Sequence, residues 1–486
     1  MRLKNIISAS VLTAGVLLNS CDKYLDVNHD PNYPEEVSAE QMLPSFEVGA
    51  AYSIMSWDFL FPIGIYQQYI AQKSGASQFT KMEQFDSENC SQTYTNFYSR
   101  QLLEAKVFQQ RVGEESNMYA IAEIMSIYIW QVATDLWGNI PYSEALDNKN
   151  ISPHFDKSED IYNSLLSRID AVRDGLAKGK FTGSVSPKYD YIFKGDMSQW
   201  AAFANSLKLR MMLRLVNTKK FSYEEIKTFA ESNVLLSENA QISESIWETK
   251  PSKMYPLDEY EGSGFPSKNV CPSRTIASYM ASDSRLKKIF SVEADGNVAS
   301  KIQGSYIETE SSSKLAPAVK NIPLISIWEI DFNLSELYLK TGDNAKAEEF
   351  YKKAVDESFA YWKLAGKGEE VYGENGYAKW EANESENFKT LNLQRWAAFL
   401  MTQHAEGFFS RMRTGFPEYY QQKMKFEELK NNFPVGYLIY PVCGSVIAGF
   451  PASMLYPAET VLNLNTNAPK QKTDISEALF WHKSRN

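Results

Sequence analysis

Three stretches of this chain repeat their apolar residues every third or fourth position, and that period constrains the fold more than any other feature. Ile161, Leu165, Ile169, Val172 and Leu176 share one helical face, and Ser158 ahead of them reads as an N-cap. Trp200, Phe203, Leu207, Met211 and Leu215 form a second face, with Lys208, Arg210 and Arg214 interspersed. Ile327, Ile330, Leu334 and Leu337 form a third. Strand-like alternation is scarce. A one-sided helix must bury its apolar stripe against another element, so the pattern predicts a mainly α fold with at most one small hairpin.

Residues 328–355 carry a sharper signal. Gly342-Asp343 is followed at fixed spacing by Ala347, Tyr351 and Ala354. The glycine lets the chain turn between two helices, and the small alanines let those helices approach closely. This resembles the tetratricopeptide pattern, with Ser335 standing where such a repeat often has Ala or Gly. Residues 117–176 read as a degenerate copy, broken by Trp137-Gly138-Asn139-Ile140-Pro141. The expectation is tetratricopeptide-type helical hairpins packed as one large domain over 37–486. Long irregular segments at 74–98, 248–272, 295–322 and 364–387 interrupt the helices, and loops of that length are where binding sites tend to sit.

The N-terminus is of another kind. Arg2 and Lys4 precede an apolar run over 6–18 that is too short to span a bilayer, and Leu18-Asn19-Ser20-Cys21 follows. That tetrapeptide resembles the lipobox of bacterial lipoproteins, although Asn19 is unusual there. The reading is a signal peptide over 1–20, lipidation at Cys21 and a polar, proline-marked linker over 21–36. Two or three acyl chains give stable membrane anchoring, at about 0.8 kcal/mol per buried methylene.

The whole chain has a formal charge of −10. Such a surface repels nucleic acid and anionic head groups, so neither is an expected partner. Cys90, Cys271 and Cys443 lack CxxC spacing and support no disulfide framework. His29, His154, His404 and His482 are scattered, so no metal or cofactor is expected. No GxGxxG, Walker A or GxSxG motif occurs, and the SxxK matches at Ser284–Lys287 and Ser311–Lys314 lack the supporting motifs of a penicillin-binding site. The sequence shows no catalytic residues and predicts a protein that is not an enzyme.

Four segments together resemble the SusD/RagB family of outer-membrane nutrient-binding lipoproteins, in particular its SusD-like subgroup. They are Leu25-Asp26-Val27-Asn28 with Asp30-Pro31-Asn32; Thr134-Asp135 through Gly138 to Pro141-Tyr142-Ser143-Glu144-Ala145; Gly195-Asp196, Trp200 and Phe203 to Arg210; and Gln394-Arg395-Trp396 with Arg413 to Pro417, Tyr456-Pro457, Glu459 and Asn463. The resemblance implies a largely helical protein on the outer face of the outer membrane. It also implies a cap on a SusC-type TonB-dependent β-barrel transporter, which captures glycans or peptides and hands them on.

The chain contains 28 Tyr, 27 Phe and 10 Trp, enough to supply both a core and a contact surface. Sugar rings stack their C–H faces on aromatic rings, so the loop aromatics Phe79, Tyr94, Tyr255, Tyr260, Phe265, Tyr377 and Trp380 are the expected ligand contacts, with Phe85 and Tyr372 beside them. The competing reading is a tetratricopeptide-type scaffold or peptide-binding lipoprotein with no saccharide site.

Overall fold

The computed structural model describes residues 38–86, 90–251, 253–261, 265–306, 311–447 and 449–483. The signal peptide, Cys21 and the motifs at 25–32 lie outside them.

The longer helices pack largely in chain order. Helices α1 (Ala39–Met55) and α2 (Trp57–Tyr66) lead into α3 (Leu103–Val112), which packs on both α1 and α4 (Asn117–Trp137). Helix α5 (Ser158–Ala177) lies on α4, α6 (Met197–Arg214) on α5, and α7 (Tyr223–Glu231) on α6. Helix α8 (Ile327–Lys340) then contacts α7, α9 (Asn344–Tyr361) and α10 (Glu384–Ala398). Helix α11 (His404–Thr414) packs on α10 and returns to α2.

The hairpin at 328–355 forms as its spacing predicts. Gly342 sits at φ +88° between α8 and α9, a left-handed conformation that costs a residue with a Cβ about 1–2 kcal/mol. Ala347, Tyr351 and Ala354 are fully buried against α8. Ser335 is buried too, and its hydroxyl donates to the Ala347 carbonyl at 2.7 Å, so its extra oxygen is satisfied inside the hairpin. Residues 117–176 also form an α-hairpin, α4 with α5, turned at Gly138 (φ +79°).

The cap of α5 differs from expectation. Ser158 is already helical, and its N–H is accepted by the Asn139 side chain at 2.9 Å. The turn motif therefore caps the next helix in place of Ser158. Tyr456, from near the C-terminus, donates its hydroxyl to the carbonyl of Asn139 at 2.7 Å and locks that turn.

The strand content also differs. Among the described residues there are three two-stranded antiparallel ladders: β1 (Ile70–Gln72) with β5 (Val270–Pro272), β2 (Ile140–Pro141) with β3 (Phe155–Asp156), and β4 (Ala240–Ile242) with β6 (Ile322–Ile325). The register of the first pairs Ile70 with Pro272 and Gln72 with Val270. Two of the three join segments far apart in sequence, which local alternation cannot reveal.

Charge runs through the middle of the helical array. On α6, Arg210 donates to both oxygens of Glu329 at 2.7 Å and to the Leu324 carbonyl at 2.9 Å. Arg214 bridges Asp135 at 3.0 Å and Glu406 at 2.7 and 2.8 Å. Glu336 on α8 takes Arg395 at 2.8 Å and both Nη atoms of Arg413. All these side chains are buried. Burial pushes the Glu336 carboxyl up, but Arg413 and Arg395 outweigh it and hold the pKa at about 2. The conspicuous Arg residues of the family-like motifs thus hold helices together.

Candidate functional site

A short helix, Arg274–Tyr279, separates two adjoining clefts. Its N-cap Ser273 accepts the Thr275 N–H at 3.3 Å, and its start is fixed by the β5 strand immediately before it. The larger cleft, about 440 Å³, is lined by Tyr279, Tyr377, Lys389, Leu393, Val435 and Gly436. The second, about 290 Å³, is lined by residues that include Arg274, Asp283, Lys287, Asn297 and Ser300. Ser278 and Ala281 border both. The volumes fall at or near the range of small-ligand sites, roughly 300–1,000 Å³.

A buried polar chain positions the two tyrosines of the larger cleft. The Tyr377 hydroxyl donates to Asp283 at 2.7 Å. Asp283 in turn accepts from Arg285 at 2.6 Å, and both side chains are sealed from solvent. Arg285 donates onward to Ser358 at 2.9 Å and Gln394 at 3.1 Å, and Gln394 donates to the Tyr279 hydroxyl at 3.0 Å. Burial alone would lower the Arg285 pKa, but Asp283 more than offsets it, so the guanidinium stays charged. Burial raises both tyrosine phenols, which stay protonated and able to donate. The two rings meet edge to face at 5.3 Å. Tyr377 remains only half-buried, as a ring available for stacking must be. Lys389 leans over the Tyr437 ring at 5.1 Å and adds a cationic donor to the rim.

The other expected contacts divide. Phe79 is 2 % exposed and packs on Phe61 at 5.8 Å; Tyr94 is 5 % exposed, stacked on Tyr98 at 4.8 Å; Tyr255 is 1 % exposed against Trp247. These three are corrected to core positions, because burying a large ring stabilises the loop body more than leaving it in water. Phe85 joins them between Tyr66 and Phe450. Tyr260 and Phe265 are half-buried and gather round Trp57 at 6.3 and 5.4 Å, beside the Tyr52 hydroxyl bonded to Glu259. They make a second aromatic patch away from the cleft. Trp380 packs on Tyr351 at 5.0 Å and donates to Asn344 at 3.1 Å, while Tyr372 bonds Asp356. Of the aromatics named from sequence, Tyr377 alone lines the cleft beside the Arg274–Tyr279 helix. Tyr279, Lys389 and Arg274, which also line the clefts, lie outside the irregular segments that supply the aromatic candidates.

Among the described residues no group of three or more His, Cys, Asp or Glu side chains could hold a metal ion.

The family model for SusD-like proteins, described as starch-binding and associating with the outer membrane, matches residues 31–441. The chain belongs to the SusD-like family. No curated protein matches it in sequence. Among solved structures, a SusD homologue from Bacteroides uniformis superposes with a TM-score of 0.69 at 20 % identity, covering 92 % of this chain and 100 % of its own. A chitin-binding SusD homologue from Flavobacterium johnsoniae gives 0.68 at 17 %, covering 90 % and 98 %. A SusD/RagB family protein from Bacteroides thetaiotaomicron gives 0.68 at 19 %, covering 92 % and 99 %. At these identities the likeness establishes the helical fold.

Proposed function

We propose that this protein is the ligand-capturing lipoprotein of an outer-membrane nutrient importer, anchored through Cys21. In this reading it takes an oligosaccharide into the Tyr279–Tyr377 cleft and delivers it to a SusC-type TonB-dependent transporter. The observation that carries the reading is a half-buried tyrosine ring fixed by a buried ion pair at the edge of a 440 Å³ cleft with hydroxyl and ammonium groups round it. An aromatic face stacks on the apolar side of a sugar, and Ser278, Ser282 and Lys389 are placed to bond its hydroxyls. Family membership and the chitin-binding relative support the same class of ligand. The role is binding, not catalysis.

Calorimetry with chitotriose tests it. Tyr377→Phe keeps the ring and should retain binding, whereas Tyr377→Ala should lose about tenfold or more in affinity. Equal affinity in the two variants would remove Tyr377 from the site.

One observation favours the scaffold reading. A cleft of about 500 Å³ lies between Tyr98, Leu103, Val107 and Leu146 on the α3 side, with Leu103 40 % exposed. Affinity purification from membranes separates the two. A β-barrel transporter in the eluate fits the importer; periplasmic proteins alone fit the scaffold.

A further inference from the structure

The smaller cleft has the wrong charge for its protein. The chain carries a net −10, yet the cationic Arg274 and Lys287 both line this cavity of about 290 Å³. Among the described residues, the one acid in its lining, Asp283, is committed to Arg285 and Tyr377. Arg274 makes no side-chain hydrogen bond or ion pair among the described residues, and its Nε is shut off from solvent without a partner. A donor left in that state is destabilising, and the guanidinium it belongs to lines the cleft with its charge uncompensated by any described side chain.

Lys287 likewise has no ion pair within 4 Å among the described residues. Asp295, whose carboxylate it influences at longer range, is held first by Asn297, at 2.9 and 3.2 Å. Across the shared border of Ser278 and Ala281, Lys389 in the tyrosine cleft has no acidic partner among the described residues either and reaches Tyr437. Three cations without close counter-ions among the described residues therefore line two adjoining clefts, beside the ring proposed to stack a sugar.

We propose that the Arg274–Lys287 cleft receives the carboxylate of an acidic sugar residue, so that the ligand of this protein is an anionic oligosaccharide. The proposal rests on the saccharide-binding reading above and specifies its substrate class. A carboxylate matches the planar two-donor edge of a guanidinium, which an ammonium cannot reproduce. Asn297 and Ser300 are placed to bond neighbouring hydroxyls.

Calorimetry on the full chain uses trigalacturonate, chitotriose, a sulfated trisaccharide and triglutamate as probes. Trigalacturonate should bind about tenfold or more tighter than chitotriose at low ionic strength, and lose much of that advantage near 0.5 M salt. The double variant Arg274→Gln with Lys287→Gln should weaken trigalacturonate about tenfold or more, leave chitotriose unchanged and leave the melting temperature where it was. Arg274→Lys should give an intermediate loss. Trigalacturonate no tighter than chitotriose, or indifferent to the double variant, overturns the proposal while the saccharide reading stands. Failure of both sugars to bind defeats the saccharide reading itself. Tighter binding of the sulfated sugar overturns the carboxylate, and triglutamate equal to trigalacturonate overturns the sugar.

Discussion

Glu336→Gln is the substitution whose cost the structure fixes most closely. The carboxylate is fully buried between Arg395 and Arg413, with the Tyr223 hydroxyl at 3.2 Å. Neutralising it leaves two guanidinium groups without their counter-charge in the interior, a change that costs about 3–5 kcal/mol. Linkage gives an independent figure. The folded carboxyl ionises near 2 and its reference value is 4.5, a difference of about 2.5 units or roughly 3 kcal/mol of stability at pH 7. Because the folded value is depressed, this contribution is complete above about pH 4.5 and is lost as pH falls through 2. At pH 3.5 about 2 kcal/mol of it should remain. Urea unfolding followed by tryptophan fluorescence should therefore show a gap between parent and variant of about 3–5 kcal/mol at pH 7, narrowing by roughly 1 kcal/mol at pH 3.5. A gap below about 1 kcal/mol at pH 7, or one that does not narrow on acidification, would refute the assignment of Glu336 as the counter-charge of both arginines.

His404 is fully buried, with Nδ1 on the Leu60 carbonyl at 3.1 Å and Nε2 accepting the Met401 N–H at 2.9 Å. Burial lowers its pKa to about 4, against a slight opposing pull from Leu60, so the unfolded chain binds the extra proton between about pH 6.5 and 4 and stability should fall across that interval as pH drops, by about 3 kcal/mol in all; nitrogen-detected NMR titrating His404 above pH 6 would contradict this. Gly407→Ala would drive a Cβ into the Tyr69 hydroxyl, which donates to the Trp396 carbonyl at 2.6 Å, and should cost about 1–3 kcal/mol by thermal melting. Cys21→Ala should move the protein from the membrane to the soluble fraction on cell fractionation; unchanged retention would rule out the lipid anchor.

The helices were readable because each buries one stripe and exposes the other. Trp200, Phe203, Leu207 and Met211 are all fully buried, as their spacing requires. Arg210 and Arg214 could be read as groups needing buried acceptors, but not which ones. Their partners Asp135, Glu329 and Glu406 lie 79 to 192 positions away. The loop aromatics show the same limit at shorter range. Tyr255 and Tyr260 share a segment and a residue type, yet Tyr255 is sealed against Trp247 while Tyr260 is half-exposed beside Trp57. Nothing in the local pattern distinguishes them, because burial there is decided by distant elements. The cleft was hidden for that reason: its tyrosines are ordinary until Asp283, Arg285 and Gln394 bring them together.

The ladder between β1 and β5 closes a loop of some two hundred residues, from Ile70–Gln72 to Val270–Pro272. The entropy of such a closure grows only with the logarithm of its length, so equilibrium tolerates it. Kinetics treats it differently, because contacts distant in sequence form after local ones. The α8–α9 turn can fold from its own neighbourhood, whereas the helix carrying Arg274 and Tyr279 starts directly after β5 and takes its place only once the N-terminal strand has been found. The proposed binding surface is thus the late-maturing part of the molecule.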